Sequence, residues 1–373
     1  MRHFEALISL YALICVLLIA IDLFVVLYEA LRSLRFETGK RKFDSMLEQQ
    51  FRCAALGQPL DENIQREIKK RLFRLNSLIA LNLKVKANLA LKKPAAGKYI
   101  AASADMIASL AAAFDSAGPL KRASLANLAA NSAGLLPEAD KYFLKWIKDK
   151  NVYCRQNALL AVLACGEKEN VVKALKEVNS STLPAGKKLL LGGLATYKGD
   201  REELCASIWK VFDSLDNQVK AAAVDYFIVS SASRETEIYA LLSDAGQDKE
   251  VRLAAMRYFG RHAYEPAADY MAKILTYAVE CDWQYLAVAA RQIRLYKTPA
   301  VVEALKAALF DLNWYVRTNS AESLAQLGVG YEELARIYEG DDRFAKEAMM
   351  YRAKVGGIIT QKGGEGDVVT AGG

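Results

Sequence analysis

The sequence predicts an all-α protein: one apolar N-terminal helix long enough to cross a membrane, followed by an α-solenoid of helical repeats. Three observations lead there. Alanine supplies 59 of the 373 residues and proline only 7, a balance that favours helix over strand. The run Ala6–Tyr28 holds a single charge, Asp22, in 23 residues. Aspartates that open apolar helical stretches recur along the rest of the chain at a nearly constant interval.

As a helix the apolar run spans about 34 Å, enough for a bilayer core. Its length, the lack of a small-x-small cleavage site and an n-region with only Arg2 separate it from a signal peptide. Arg32, Arg35, Lys40, Arg41 and Lys42 follow it, and positive residues stay on the cytoplasmic side. The expectation is a single-pass protein with its N-terminus outside and its C-terminal part cytoplasmic. Tyr11, Cys15, Asp22 and Glu29 fall on one face of the run at helical spacing. An acid in hydrocarbon costs up to about 2.5–3.5 kcal/mol and usually faces protein, so this stripe is read as a contact with another membrane protein or a second copy. The plainer alternative leaves Asp22 wetted near the headgroups.

Charge is concentrated next to that run. The chain nets +7, but residues 1–31 net −2, residues 32–98 net +10 from 16 Lys+Arg against 6 Asp+Glu, and residues 99–373 net −1. The basic region reads as two or three amphipathic helices, the clearest opening at Asp61 as N-cap and running through Arg66, Lys69, Lys70, Arg71 and Arg74. An anionic lipid surface would attract it by about 1 kcal/mol per basic residue; an ordinary solvated face is the alternative. No aromatic interleaving accompanies the charge, and the remainder is neutral, which argues against nucleic acid as a partner.

From about residue 115 the period governs the fold. Asp115, Asp149, Asp216, Asp248, Asp282, Asp311 and Asp342 each precede an apolar helical run, at gaps of 34, 67, 32, 34, 29 and 31 residues. The double gap has its midpoint near Thr182. Arg155 to Gly166 and Arg317 to Gly328 are both eleven residues apart. In each unit an Asp caps a helix, an apolar stripe turns inward, a Gly closes it and a shorter helix follows. One pair cannot bury its own apolar face, so neighbours stack.

These segments, notably Asp311-Leu-Asn-Trp-Tyr-Val-Arg317 through Leu327-Gly328 and Asp248-Lys-Glu-Val-Arg252, resemble the HEAT-repeat superfamily, in particular the short bacterial type also found in phycobilisome lyases. The resemblance covers roughly residues 100–355. It implies a right-handed solenoid in which Asp149, Asp248, Asp311, Arg155, Arg252 and Arg317 link adjacent repeats rather than form a site. The segments expected are an anchor at 1–31, a basic helical region at 32–98, the repeats at 99–355 and a flexible Gly-rich tail at 356–373.

Catalytic constellations are lacking in the sequence. His3 and His262 are the only histidines, and the Gly192–Gly193 pair has no following Lys-Ser/Thr. The six Cys form no Cys-x-x-Cys pair and read as small buried apolar residues. The expectation is a non-enzyme without cofactor: a scaffold or regulatory subunit that binds proteins, membrane proteins among them, in a biosynthetic or signalling complex. A lyase-type role beside an enzyme or a chromophore-carrying partner is the alternative the resemblance brings. The interaction candidates are Tyr153, Trp283, Tyr285, Trp314 and Tyr315 at helix openings, with Arg257, Arg261, Arg291 and Arg294 after them, since exposed Trp, Tyr and Arg anchor interfaces. Filling of the inter-repeat core is the competing use of any one of these aromatics.

Overall fold

The computed structural model describes residues 38–178, 185–230, 233–277, 282–329 and 339–355, with isolated positions Leu23, Phe24, Leu27, Leu334 and Ile337. They form helices throughout, in two compact units, Met1–Gly134 and Leu135–Gly373.

The membrane-crossing helix expected from the sequence is not supported. Among the described residues no helix is long and apolar enough to cross a membrane. The described helical residues 38–55 carry Lys40, Arg41, Lys42, Asp44, Glu48 and Arg52, charges that a bilayer core does not accept. The single-pass topology, with its outside N-terminus and cytoplasmic C-terminal part, falls with it. Of the apolar run only Leu23, Phe24 and Leu27 are described. Tyr11, Cys15, Asp22, Glu29, Arg32, Arg35 and the tail 356–373 lie outside the described residues.

The first unit contains α1 (38–55), α2 (Glu62–Leu72), α3 (Leu75–Ala90), α4 (Ala95–Ala102), α5 (Ala104–Phe114) and α6 (Pro119–Ala129). Asp61 caps α2 by accepting from the Asn63 and Ile64 amides, at 2.9 and 3.0 Å. The basic residues Lys69, Lys70 and Arg71 fall in its last turn, where they complement the helix dipole. Helix α3 packs on α2, α4 and α6, burying Leu78, Leu81 and Val85. Lys84 ties it to α1 through Asp44 and Glu48, at 3.4 and 3.0 Å. Asp115, expected to open a helix, instead ends α5, and the next helix starts at Pro119, whose ring presets the first helical φ.

The second unit is a succession of helix pairs: α7 (Pro137–Trp146) with α8 (Val152–Cys165), α9 (Lys168–Glu177) with α10 (Lys187–Ala195), and α11 (Arg201–Trp209) with α12 (Asn217–Ser230). Then come α13 (Glu235–Ser243) with α14 (Lys249–Phe259), α15 (Glu265–Tyr277) with α16 (Trp283–Gln292), α17 (Pro299–Ala308) with α18 (Trp314–Gln326), and α19 (Arg343–Val355). The pair α9–α10 fills the double gap, although Thr182 lies outside the described residues. Every even-numbered helix packs on the next even one from α8 to α18, and α18 packs on α19. Small side chains permit this close layering. Ala221, Ala222 and Ala223 in α12, Ala254 and Ala255 in α14, Ala289 and Ala290 in α16 and Ala321 in α18 are all buried. Asn319 and Ser323 of α18 donate to the Ala287 and Ala290 carbonyls of α16, at 2.8 and 2.6 Å.

The periodic aspartates act in two ways. Asp216, Asp248, Asp282 and Asp342 accept from amides two or three residues ahead and cap their helices directly. Asp149 and Asp311 sit one step earlier. They accept from the amides of Asn151 and Asn313, and these asparagines cap α8 and α18. Arg155 and Arg317 then close the same loops. Each donates from Nη1 to two carbonyls, Asp149 and Lys150 in one case and Asp311 and Leu312 in the other, at 2.8–3.0 Å. The two glycines eleven residues on serve different needs. Gly328 takes φ +65, open to glycine without strain. Gly166 is demanded by crowding, for a Cβ there would lie 2.6 Å from the Val162 carbonyl and 2.7 Å from Asp140 Oδ1.

Of the residues expected to link repeats, Arg252 reaches the next pair and Arg317 also lies over Phe344 of α19, while Asp225 adds a link outside that set. Buried Asp225 of α12 takes Arg257 of α14 at 2.9 and 3.2 Å and Lys187 of α10 at 2.7 Å, joining three successive even helices. Arg252 of α14 is buried, donates to the Leu242 carbonyl and the Tyr270 hydroxyl, and stacks over Tyr285 at 4.8 Å. Tyr258 and Tyr296 close their own pairs: their hydroxyls accept from the Arg234 and Tyr264 amides, both at 3.0 Å. Cys154, Cys165 and Cys205 are buried and Cys53 is half-buried, while Cys15 and Cys281 lie outside the described residues.

Asp140 of α7 caps a helix that is not its own. Its Oδ2 accepts from the Glu167 amide and from Asn170 Nδ2, both at 2.8 Å, at the N-terminus of α9. Its Oδ1 is buried with no partner, and burial raises its carboxyl above the ordinary range despite those two bonds. Folding therefore favours the protonated acid. The stability this group contributes is complete below the ordinary carboxylate pKa and is lost as pH rises through the raised value. Asp140→Asn should match the wild type in acid and become progressively the more stable of the two as pH climbs, read as the difference in Tm between about pH 3 and pH 8. Asp225→Ala should cost about 2–3 kcal/mol in urea unfolding, because it strands two cations, and Lys187→Gln less than about 1 kcal/mol.

Candidate interaction site

The expected interaction residues are distributed unevenly. Tyr153, at the start of α8, is exposed with the neighbouring Val152. Trp283, Trp314 and Tyr315 come together at the N-terminal ends of α16 and α18. The Trp283 and Tyr315 rings stack at 5.5 Å and 19°, and Trp314 meets Tyr315 edge-on at 5.1 Å and 77°. All three remain open to solvent, at 41%, 59% and 56% exposure. Tyr285 lies on the buried face of α16 under the Arg252 guanidinium. Arg257 is held by Asp225, and Arg294 donates to Gln326 at 3.0 Å. Arg261 and Arg291 are exposed.

The placement follows from helix phase. Residues at the mouth of an even helix precede the inward stripe, so their rings have the flanking loop on one side and solvent on the other. Trp283 directly follows the Asp282 cap and Trp314 the Asn313 cap. Leu312, in the loop before α18, is almost fully exposed. Asp282 is itself steadied by Lys249 of α14, whose ammonium holds its carboxyl below the usual range.

Beside this cluster is a groove of about 410 Å³ between α18 and α19, lined by Trp314, Arg317, Thr318, Phe344, Glu347 and Ala348. Phe344 is 60% exposed and lies under the Arg317 guanidinium at 5.2 Å. Arg317 thus has one edge on the Asp311 loop and its face on the groove. A smaller groove of about 180 Å³ occupies the matching place by α8 and α10, lined by Val152, Arg155, Gln156, Leu159 and Leu189 among others. Val152 and Tyr153 stand three and two residues before Arg155, as Trp314 and Tyr315 do before Arg317.

Phe344, Thr318 and Glu347 were not singled out by sequence. The available signal was the period itself: Phe344 follows the Asp342 cap by two residues, as Trp314 follows Asp311 by three. Chemically the groove offers aromatic faces, one oriented cation and one carboxylate. Among the described residues no group of three or more His, Cys, Asp or Glu could hold a metal ion. His262 stacks on Tyr258 at 4.1 Å with Glu235 at 4.0 Å from Nδ1, inside the α13–α14 pair.

No protein-family model matches the chain, and no curated protein matches it.

Burial separates the two aromatic classes energetically. Tyr285→Ala should cost about 3 kcal/mol through the lost core ring, whereas Trp314→Ala at the surface should cost less than about 1 kcal/mol. Urea unfolding of the two variants checks the contrast.

Proposed function

We propose that this protein is a helical-repeat scaffold or regulatory subunit of the HEAT type, which holds a protein partner at the openings of its even helices. The observation that carries the reading is the solvent-open aromatic cluster of Trp283, Trp314 and Tyr315 beside the Arg317–Phe344 groove. Large aromatic rings held by a rigid stack lose little conformational freedom on binding, and Trp, Tyr and Arg dominate measured interface energies. The two-layer succession of helix pairs supports the HEAT assignment, as do the Asp caps and the Arg clamps repeated at Arg155 and Arg317. A non-catalytic role is part of the same reading.

The test is capture of partners by the tagged full-length protein, compared with a Trp283→Ala/Trp314→Ala variant whose circular dichroism and Tm match the wild type. Recovery of the specific partner should drop at least about thirtyfold, as expected for two central anchors. Equal recovery by the two proteins would refute the assignment of this surface.

A further inference from the structure

The first unit holds a second feature, independent of the scaffold reading. Beside residues 39–43 of α1, where α2 ends and α3 begins, a pocket of about 290 Å³ is lined by Lys40, Arg71, Arg74, Asn76 and Ser77 together with Phe43 and Ala80. Three cations converge there, and among the described residues Glu67, at 3.1 Å from Arg71, is the one carboxylate in contact with any of them. Among the described residues Lys40 and Arg74 have no acidic partner. This contrasts with Lys84 on the same helix α3, which two carboxylates neutralise.

The pocket is also pre-shaped. Arg71 is fixed by three contacts: Nε on Glu67, Nη1 on the Gly39 carbonyl at 3.0 Å, and its plane over the Phe43 ring at 6.0 Å. A guanidinium so oriented loses little freedom on meeting an oxyanion. Asn76 and Ser77 add neutral donors at the first turn of α3, whose N-terminus has no side-chain cap. The volume suits a phosphate group and not an extended polymer. Exposed Ile79 and Leu83 continue along α3 from Asn76 at helical spacing, so an anion bearing an apolar tail would find carbon surface beside its head.

We propose that the Lys40–Arg71–Arg74 pocket is a binding site for a phosphate-class anion, either a lipid phosphate headgroup or a soluble phosphate ester. Arg71 is the fixed recognition element, and Lys40 and Arg74 supply the mobile charges that close over the bound group.

The experiment uses purified full-length protein and three variants, Arg74→Gln, Lys40→Gln and, outside the pocket, Lys86→Gln. All three replace exposed cations. Calorimetric titration with inorganic phosphate measures the soluble source. Flotation on phosphatidylcholine vesicles with and without phosphatidylglycerol measures the lipid source, the signal being the difference between the two compositions, so that any uptake by apolar contact alone cancels. Arg74→Gln and Lys40→Gln should each weaken binding about tenfold through a lost charge-assisted contact, and Lys86→Gln should leave it unchanged. Selectivity for the anionic vesicles that inorganic phosphate competes away assigns a headgroup. Phosphate binding without that selectivity assigns a soluble ester. Equal weakening by Lys86→Gln would mean diffuse attraction and overturn the pocket, and so would the absence of both phosphate binding and vesicle selectivity.

Discussion

Most of the second unit follows from one constraint: no helix pair in it can cover its own apolar face. Each even helix turns its small residues toward the next even helix, so each pair is completed by its neighbour. Alanine at these positions brings backbones close enough for Asn319 and Ser323 to reach carbonyls of the preceding even helix. A larger side chain there would remove both the packing and the hydrogen bonds, because the distance between layers sets them together.

The same constraint sorts the charged residues. Arg155 and Arg317 satisfy loop carbonyls within their own repeats, Arg252 is buried between helices, and Arg257 shares Asp225 with Lys187. These residues look alike in sequence, each one following an apolar helix opening or lying within the run. What distinguishes them is which wall they face once the pairs are stacked. Asp225 joins the middle of α12 to the first residue of α10 and the last turn of α14, whereas Asp149 and Asp311 accept from amides in the loops that precede their helices.

The helical character of the chain and its repeat length were legible because capping chemistry is local. An Asp or Asn before an apolar run reaches amides two or three residues ahead whatever the tertiary context, so Asp61, Asp216, Asp248, Asp282 and Asp342 could be read directly. Asp115 could not, since an acid at a helix end and one at a helix start look the same until the following Pro119 is given its place. Trp283, Trp314 and Tyr315 were visible as aromatics at helix openings. The burial of Tyr285, two residues beyond Trp283, is a matter of phase that needs the neighbouring Arg252 to be resolved. Phe344 and the α18–α19 groove depend on contact between helices, which no local pattern encodes. The Arg71 pocket was seen only as part of a basic stretch, because its shape requires α1, α2 and α3 together.

Helix α19 supplies Phe344, Glu347 and Ala348 to the larger groove and packs on α18. That groove is therefore a property of a joint rather than of a single helix: it exists only while the two are closed on each other. An occupant that spans them prefers the closed arrangement, so occupancy and closure are thermodynamically linked, and each strengthens the other by the same factor. The consequence is that anything seated in the groove would make α19 harder to peel from α18.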